Sequence, residues 1–444
     1  MQIIHHGAKD GVTGSCHELV IESDYSILID CGLFQGAEQR QLDIDFDLSR
    51  VKALVVTHCH IDHVGRIPWL LAAGFRGEIY LTQASAALLP IVLEDGIKVH
   101  FGSNRLFEAV ETLLDKSMVA VAYDQWLQPC DNVNYRLRFQ PAGHILGSAF
   151  VEVDMPDGTR GVFSGDLGPC NTPLLPDPVP PEFADWLVME STYGQKVHDD
   201  ISQRRFRLKT IIKRSLRDGG VILVPAFSIG RTQELLFDIE QLIHELADDP
   251  IHQIPVILDS PIAQKFTDNY RNFKKFWSLE AKQKLQSGRH PLNFEQLVCI
   301  DSHSDHKALV NRLSKSAEPC IVIAASGMVS GGRIVNYMKA LLPDKRTDVL
   351  LVGYQAKGTP GRALFKDDAF IRFGEDTVKN NAQVHNLGGY SAHADKDELI
   401  NFIMKIKGLS KVRVVHGEPK SQHKFKENLL KANAELVVEA ACDI

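Results

Sequence analysis

Apolar residues in the first half of the chain come in short runs, separated by turns rich in glycine, serine and aspartate. Leu19–Glu22 and Ser26–Asp30 flank Ser23-Asp24-Tyr25 and predict a hairpin. Lys52–Thr57 (K-A-L-V-V-T) is long enough for one buried strand and too short for a helix. Glu78–Thr82, Tyr135–Gln140, Ala149–Asp154 and Gly161–Ser164 continue this strand pattern, with helices expected at about Gln83–Asp95 and Ser103–Ser117. After about Thr192 the pattern changes. Ile201–Arg217 reads as a basic amphipathic helix and Val221–Val224 as a strand. Gly230–Leu246 places Leu235, Leu236, Ile239, Leu242, Ile243 and Leu246 on one helical face. Strands at Pro255–Leu258, Cys320–Ala325, Val349–Val352 and Gln383–Leu387 alternate with helices near Glu280–Gln286 and Asp305–Leu313. That alternation implies a parallel α/β unit. Asp395–Lys407, Lys411–Val415 and Gln422–Lys431 add a helix, a strand and a helix, and Thr172–Pro181 is the most loop-like segment.

The 444 residues suggest two or three domains of about 100–200 residues each. With 44% hydrophobic and 24% charged residues, a disordered or fibrous chain is excluded. Lys plus Arg is 49 against 56 Asp plus Glu, a net charge of −7. That argues against coating nucleic acid by bulk positive charge but leaves room for a local basic groove. Apolar stretches such as Ile67–Phe75 fall short of the ~20 residues a membrane helix needs. Met1–Asp10 shows no secretory pattern, and 8 scattered cysteines form no C-x-x-C pair. A reduced, cytoplasmic protein with no membrane partner is expected.

The densest chemical signal is Thr57-His58-Cys59-His60-Ile61-Asp62-His63, at the end of the strand Lys52–Thr57. Imidazoles and carboxylates are the usual ligands of a catalytic zinc that keeps room for water. On an irregular loop, His58 and His60 can serve one metal while Asp62 and His63 serve another. The competing explanation is a polar loop of unrelated histidines. Further ligand-type residues follow predicted strands: His144 in Ala142–Gly147, Asp166 in Ser164–Gly168 and His416 in Val414–Glu418, each beside glycine.

These motifs resemble the metallo-β-lactamase superfamily. Glu190-Ser191-Thr192-Tyr193-Gly194, Gly389-Tyr390-Ser391-Ala392-His393-Ala394-Asp395 and Val415-His416-Gly417-Glu418 resemble motifs A, B and C of its β-CASP branch. Pro225–Arg231 and Val352–Gln355 are similar to other β-CASP segments. The resemblance is nearest to the nuclease subunit of the mRNA cleavage and polyadenylation factor and its compact bacterial relatives. It implies an α/β protein, an αββα sandwich with an inserted α/β lid. Residues 1–200 and 348–444 would form the two parts of the metallo-β-lactamase domain, and 201–347 the β-CASP domain.

The same resemblance implies two Zn²⁺ per chain. His58, His60 and His144 would hold one, and Asp62, His63 and His416 the other, with Asp166 bridging. Asp30, in Leu28–Gly32, would orient ligands, although a turn aspartate explains it equally well. Two metals can clamp phosphate oxygens and activate water for attack on phosphorus. The implied products carry a 3′-hydroxyl and a 5′-phosphate. His393 would be the general acid, with Glu190 favouring its protonated form, and Asp62 counts with them as a catalytic residue. Arg231, Ser391 and Thr192 are candidate substrate contacts, with capping as the alternative for each.

Three other signals are discounted. Ser302-His303-Ser304-Asp305-His306 mimics a metal loop but reads as a solvated helix start. The basic face of Ile201–Arg217 reads as a charged outer surface. His5 and His6 read as packing or surface groups. The expected function is zinc-dependent RNA hydrolysis in RNA processing or decay, more readily endonucleolytic. Single-stranded RNA is the expected substrate, and a homodimer is compatible. The rivals are a small-molecule hydrolase of the same fold, a DNA-processing β-CASP nuclease and a catalytically dead scaffold. The filled ligand positions argue against the last. With 28 residues after His416, no separate RNA-binding domain is expected there.

Overall fold

The computed structural model describes residues 2–101 and 104–444. The chain forms two compact units. The first runs to Cys170, takes up Asp177–Val197 and ends with His393–Ile444; the second comprises Asn171–Pro176 and His198–Ala392.

The first unit holds two sheets. One has six strands in the order Gln2–Gly7, Cys16–Glu22, Tyr25–Ile29, Val51–Val55, Glu78–Thr82 and Met118–Val121. The other has seven, in the order Val437–Ala440, Lys411–Val415, Trp186–Glu190, Arg160–Phe163, Ala149–Asp154, Arg136–Pro141 and Trp126–Leu127. Alternation explains how they stack. Leu19, Ile21, Ile27, Ile29, Ala53 and Val55 point from the first sheet into a core shared with Leu137, Phe139, Val151, Phe163 and Val188 of the second. Residues one step out of phase, such as Val162, Leu187, Met189 and Val414, face the opposite way and pack on Leu399, Phe402, Phe425 and Leu429. Those last four belong to the helices Lys396–Met404 and Pro419–Ala432. Helices Gln83–Phe101 and Asn104–Ser117 contact Glu78–Thr82 of the first sheet. The result is the expected αββα sandwich.

The second unit is built on a six-stranded parallel sheet. Its order is Leu297–Cys299, Val256–Leu258, Cys320–Ala324, Val221–Pro225, Asp348–Leu351 and Gln383–Asn386. Each of the three strands from Val256 to Pro225 in that order is buried along its whole length, as parallel sheets covered on both faces require. The expected boundary at 347/348 is displaced. Asp348–Leu351 pairs in parallel with Val221–Pro225 and Gln383–Asn386, so residues 348–392 lie in the second unit. The segment V-L-L-V looks like any buried parallel strand, and its sequence does not say which sheet receives it.

Several elements escaped the hydrophobic pattern. Trp186–Glu190 is central to its sheet and buried on both faces, so it shows no alternation. Leu297–Cys299 is too short to register. The hairpin Phe370–Phe373 with Asp376–Lys379 is half exposed. Ser103, expected to open a helix, lies outside the described residues.

Phe163 is 1% exposed in the shared core, with its ring 5.7 Å from Trp186 in a T-shaped contact. Phe163→Ala is expected to lower the stability of the first unit by about 3–5 kcal/mol. Urea denaturation followed by tryptophan fluorescence checks this; an unchanged midpoint contradicts it.

Candidate metal centre

The ligand-type residues meet because strand direction brings them to one edge of each sheet. In the first sheet Tyr25–Ile29 and Val51–Val55 run parallel, so Asp30 and the His58–His63 loop emerge together. In the second, Arg160–Phe163, Trp186–Glu190 and Lys411–Val415 run parallel. Arg136–Pro141 runs the same way, because Ala149–Asp154 is antiparallel to both it and Arg160–Phe163. His144, Asp166, Glu190 and His416 therefore all stand at strand ends on one side.

Two ligand groups form there. One ligand atom from each of His58, His60, His144 and Asp166 lies within 4.8 Å of the others. The imidazole nitrogens of His60 and His144 are 2.9 Å apart, and those of His58 and His60 3.2 Å. Asp62, His63 and His416 form the second group, with Nε2 of His63 and His416 3.2 Å apart. Asp166 Oδ2 is 3.5 Å from His58 Nε2 and 3.4 Å from His63 Nε2, so it reaches both groups. Asp166 Oδ1 is buried and accepts no hydrogen bond. A buried carboxylate oxygen left without a donor is costly unless a cation faces it. The set of imidazoles and carboxylates fits a metal with nitrogen and oxygen ligands.

The electrostatics agree. Burial, then the neighbouring His63, pushes His58 far below its ordinary pKa, and burial lowers His60 to about 4. Both therefore present neutral, ligating imidazoles at neutral pH. Burial also acts to lower His63 and His416. There the carboxylates win: Asp166 and Asp30 raise His63, and Asp166 with Asp62 brings His416 up to about 9. Burial would raise Asp166, but His416, His63 and His393 hold it well below the usual carboxylate range. The carboxylates of Asp166, Asp62 and Asp30 thus draw positive charge to this pocket.

An outer layer fixes the imidazoles. Asp30 accepts from Thr57 N–H and Thr57 Oγ1, both at 2.8 Å, and from His63 Nδ1 at 2.7 Å. That leaves His63 Nε2 for a metal. Asp30 and His416 both adopt left-handed backbone, at φ 62° and 50°. Thr192, expected near substrate, has its hydroxyl 3.1 Å from His416 Nδ1 and donates to the His416 carbonyl. It holds a ligand ring in place. Sequence reasoning missed Thr57 in this role. It also missed Ser148, whose Oγ accepts from His144 N at 3.0 Å, and Ser164, whose Oγ accepts from Glu190 N. Their only signal was proximity to ligand motifs.

Two glycines let the loops close. A Cβ at Gly32 would stand 1.6 Å from the Asp62 carbonyl oxygen, and one at Gly168 would stand 2.1 Å from that of Gly143. Neither position admits a side chain without moving a ligand loop.

His393 lies beside this cluster. Its Nδ1 is 3.2 Å from Glu190 Oε2 and 3.8 Å from Asp166 Oδ2. Glu190 is anchored in turn, because its Oε1 accepts from Leu167 N at 2.7 Å. Ser391 and Arg231 belong to the second unit. Ser391 N donates to Gly388 O, and the Arg231 guanidinium lies 5.1 Å from the Phe227 ring centre.

Ser302 caps its helix by accepting from Asp305 N. His306, however, is fully buried rather than solvated, with Nδ1 2.7 Å from Asp259, which also accepts from Arg333 and Tyr337. On the basic helix, Arg204–Asp218, Arg205, Arg207, Lys213 and Arg214 pair with Glu245, Asp199, Asp249 and Asp348. His5 packs against His17, and His6 pairs with Glu18. Among the described residues, no helix is long and apolar enough to cross a membrane.

Comparison with known proteins adds three domain matches. Residues 12–98 match the metallo-beta-lactamase superfamily, 232–364 the Beta-Casp domain, and 377–438 the Zn-dependent metallo-hydrolase RNA specificity domain. Ribonuclease TTHA0252 of Thermus thermophilus is 36% identical over 424 residues, covering 94% of this chain and 93% of the relative. Transcription termination factor FttA of Methanocaldococcus jannaschii is 30% identical over 416 residues, 89% of this chain and 63% of the factor. Cleavage and polyadenylation specificity factor 73 of Drosophila melanogaster is 26% identical over 450 residues, spanning 100% of this chain and 63% of that protein. With three domain matches in order and a relative 36% identical along 93% of its own length, the chain belongs to the β-CASP branch of the metallo-β-lactamase superfamily.

Proposed function

We propose that this protein is a zinc-dependent ribonuclease that hydrolyses RNA phosphodiester bonds endonucleolytically, in RNA processing or decay in the cytoplasm. The observation that carries the reading is the pair of ligand groups sharing Asp166, with the Glu190–His393 pair beside them. His58, His60 and His144 would hold one Zn²⁺ and Asp62, His63 and His416 the other, with Asp166 within reach of both sets. When bound, the metals supply positive charge for the phosphate oxygens and acidify water.

The chain's own residues do the rest. Asp30 and Thr192 keep His63 and His416 in ligating orientation. Glu190 holds the His393 ring through Nδ1, which leaves Nε2 to carry a proton. As the bond between phosphorus and the 3′-oxygen breaks, His393 Nε2 donates to that oxygen, giving a 3′-hydroxyl and a 5′-phosphate. Leu167 N–H fixes Glu190, so the donor keeps its place relative to Asp166. The ribonuclease-named relative of nearly equal length supports RNA as the substrate.

His63→Ala or Asp62→Ala is expected to lose one equivalent of zinc and nearly all turnover. Metal analysis with a cleavage assay checks this, and a variant with full activity and one metal missing refutes the two-metal assignment. His393→Ala is expected to keep both metals while turnover drops about 10²–10⁴-fold. Loss of zinc in that variant would move His393 from proton donor to ligand. Incubation with circular and end-labelled RNA tests the substrate and the mode of attack. Opening of the circle is expected. Trimming of ends alone would make the enzyme an exonuclease, and cleavage of matched DNA alone would shift the substrate.

A further inference from the structure

We infer that the protein carries an additional metal site, formed by His423, Cys442 and Asp443, which takes one thiophilic divalent cation such as Zn²⁺. It shares no residue with the imidazole–carboxylate centre. His423 lies on the helix Pro419–Ala432, while Cys442 and Asp443 lie on the short turn Ala441–Asp443. One ligand atom from each falls within 4.8 Å of the others.

The geometry is that of a ligand set. His423 Nε2 is 2.8 Å from Asp443 Oδ1 and 3.6 Å from Cys442 Sγ, and that Sγ is 3.8 Å from the same Oδ1. Zinc bonds of about 2.3 Å to sulfur and about 2.0–2.1 Å to nitrogen or oxygen give tetrahedral edges of about 3.6 Å to sulfur and about 3.3 Å between nitrogen and oxygen. Both sulfur edges are within a few tenths of an ångström, so only the His423–Asp443 hydrogen bond has to open. A thiol nucleophile with its base would use the two nitrogens of the imidazole on opposite sides. Here sulfur and carboxylate converge on the same nitrogen, which is what a shared cation demands. The imidazole and the carboxylate are each about half exposed, at 50% and 49%, so water can complete the coordination. Lys426 Nζ lies 3.9 Å from the other carboxylate oxygen.

Gln422 links the site to the loop that carries His416. Gln422, next to His423 and fully buried, donates to the carbonyls of Gly417 and Lys9 and accepts from Cys442 N–H. Gly417 follows the ligand His416. A cation binding the turn to the helix would therefore brace the loop that presents His416. Without the cation, burial and then Asp443 hold the Cys442 thiol above its ordinary pKa. Metal uptake must release that proton, so affinity rises with pH.

Cobalt provides the test, because the main centre has no sulfur ligand. Reduced full-length protein, stripped of metal and reloaded with Co²⁺, is expected to show a thiolate-to-cobalt charge-transfer band. It is also expected to bind one more equivalent than Cys442→Ser. Cys442→Ser should lose the band and the equivalent, and His423→Ala should weaken both. A wild-type spectrum without the band, or a band that survives in Cys442→Ser, overturns the site. Equal metal content in wild type and Cys442→Ser overturns it as well. None of these readouts depends on whether RNA is the substrate.

Discussion

The carboxylate of Asp166 is the point on which the first unit turns. It is 2% exposed and faces imidazoles from the first sheet, His58 and His63, and from the second, His144 and His416. A buried anion is tolerated only where charge and hydrogen bonds compensate it. That requirement makes the two sheets meet at one edge, with every ligand strand pointing the same way. Around it, Asp30 accepts from Thr57 and His63, the Thr192 hydroxyl lies against His416 Nδ1, and Ser148 accepts from His144 N–H.

Much of this was visible in the chain. H-x-H-x-D-H after an apolar run, and single ligand-type residues beside glycine after later runs, marked seven side chains that the fold brings together, because metal chemistry restricts the residue types. Leu19–Glu22, Ser26–Asp30 and Lys52–Thr57 were legible as strands because short apolar runs are bounded there by turn residues. Other strands were not. Trp186–Glu190 is buried on both faces, and Asp348–Leu351 carries no mark of which sheet it joins.

Hydroxyl groups were the harder case. Thr192 sits in a motif beside the expected proton donor, so a substrate contact was a reasonable expectation. Its place against His416 is decided by Ser191, whose Oγ donates to the Val415 carbonyl at 2.9 Å and draws the two strand ends together. The buried His306 follows the same logic. H-S-D-H has metal-like spacing, yet the ring is taken up by Asp259, a residue 47 positions earlier that no local pattern connects to it.

The distance in sequence between His63 and His416 has its own consequence. The two Nε2 atoms are 3.2 Å apart, although 353 residues separate them along the chain. During synthesis the ribosome must therefore add those residues before the second ligand group can close. Until then Asp62 and His63 have only Asp166 to meet from the opposite sheet. The second ligand group is therefore completed only when most of the sandwich has been made.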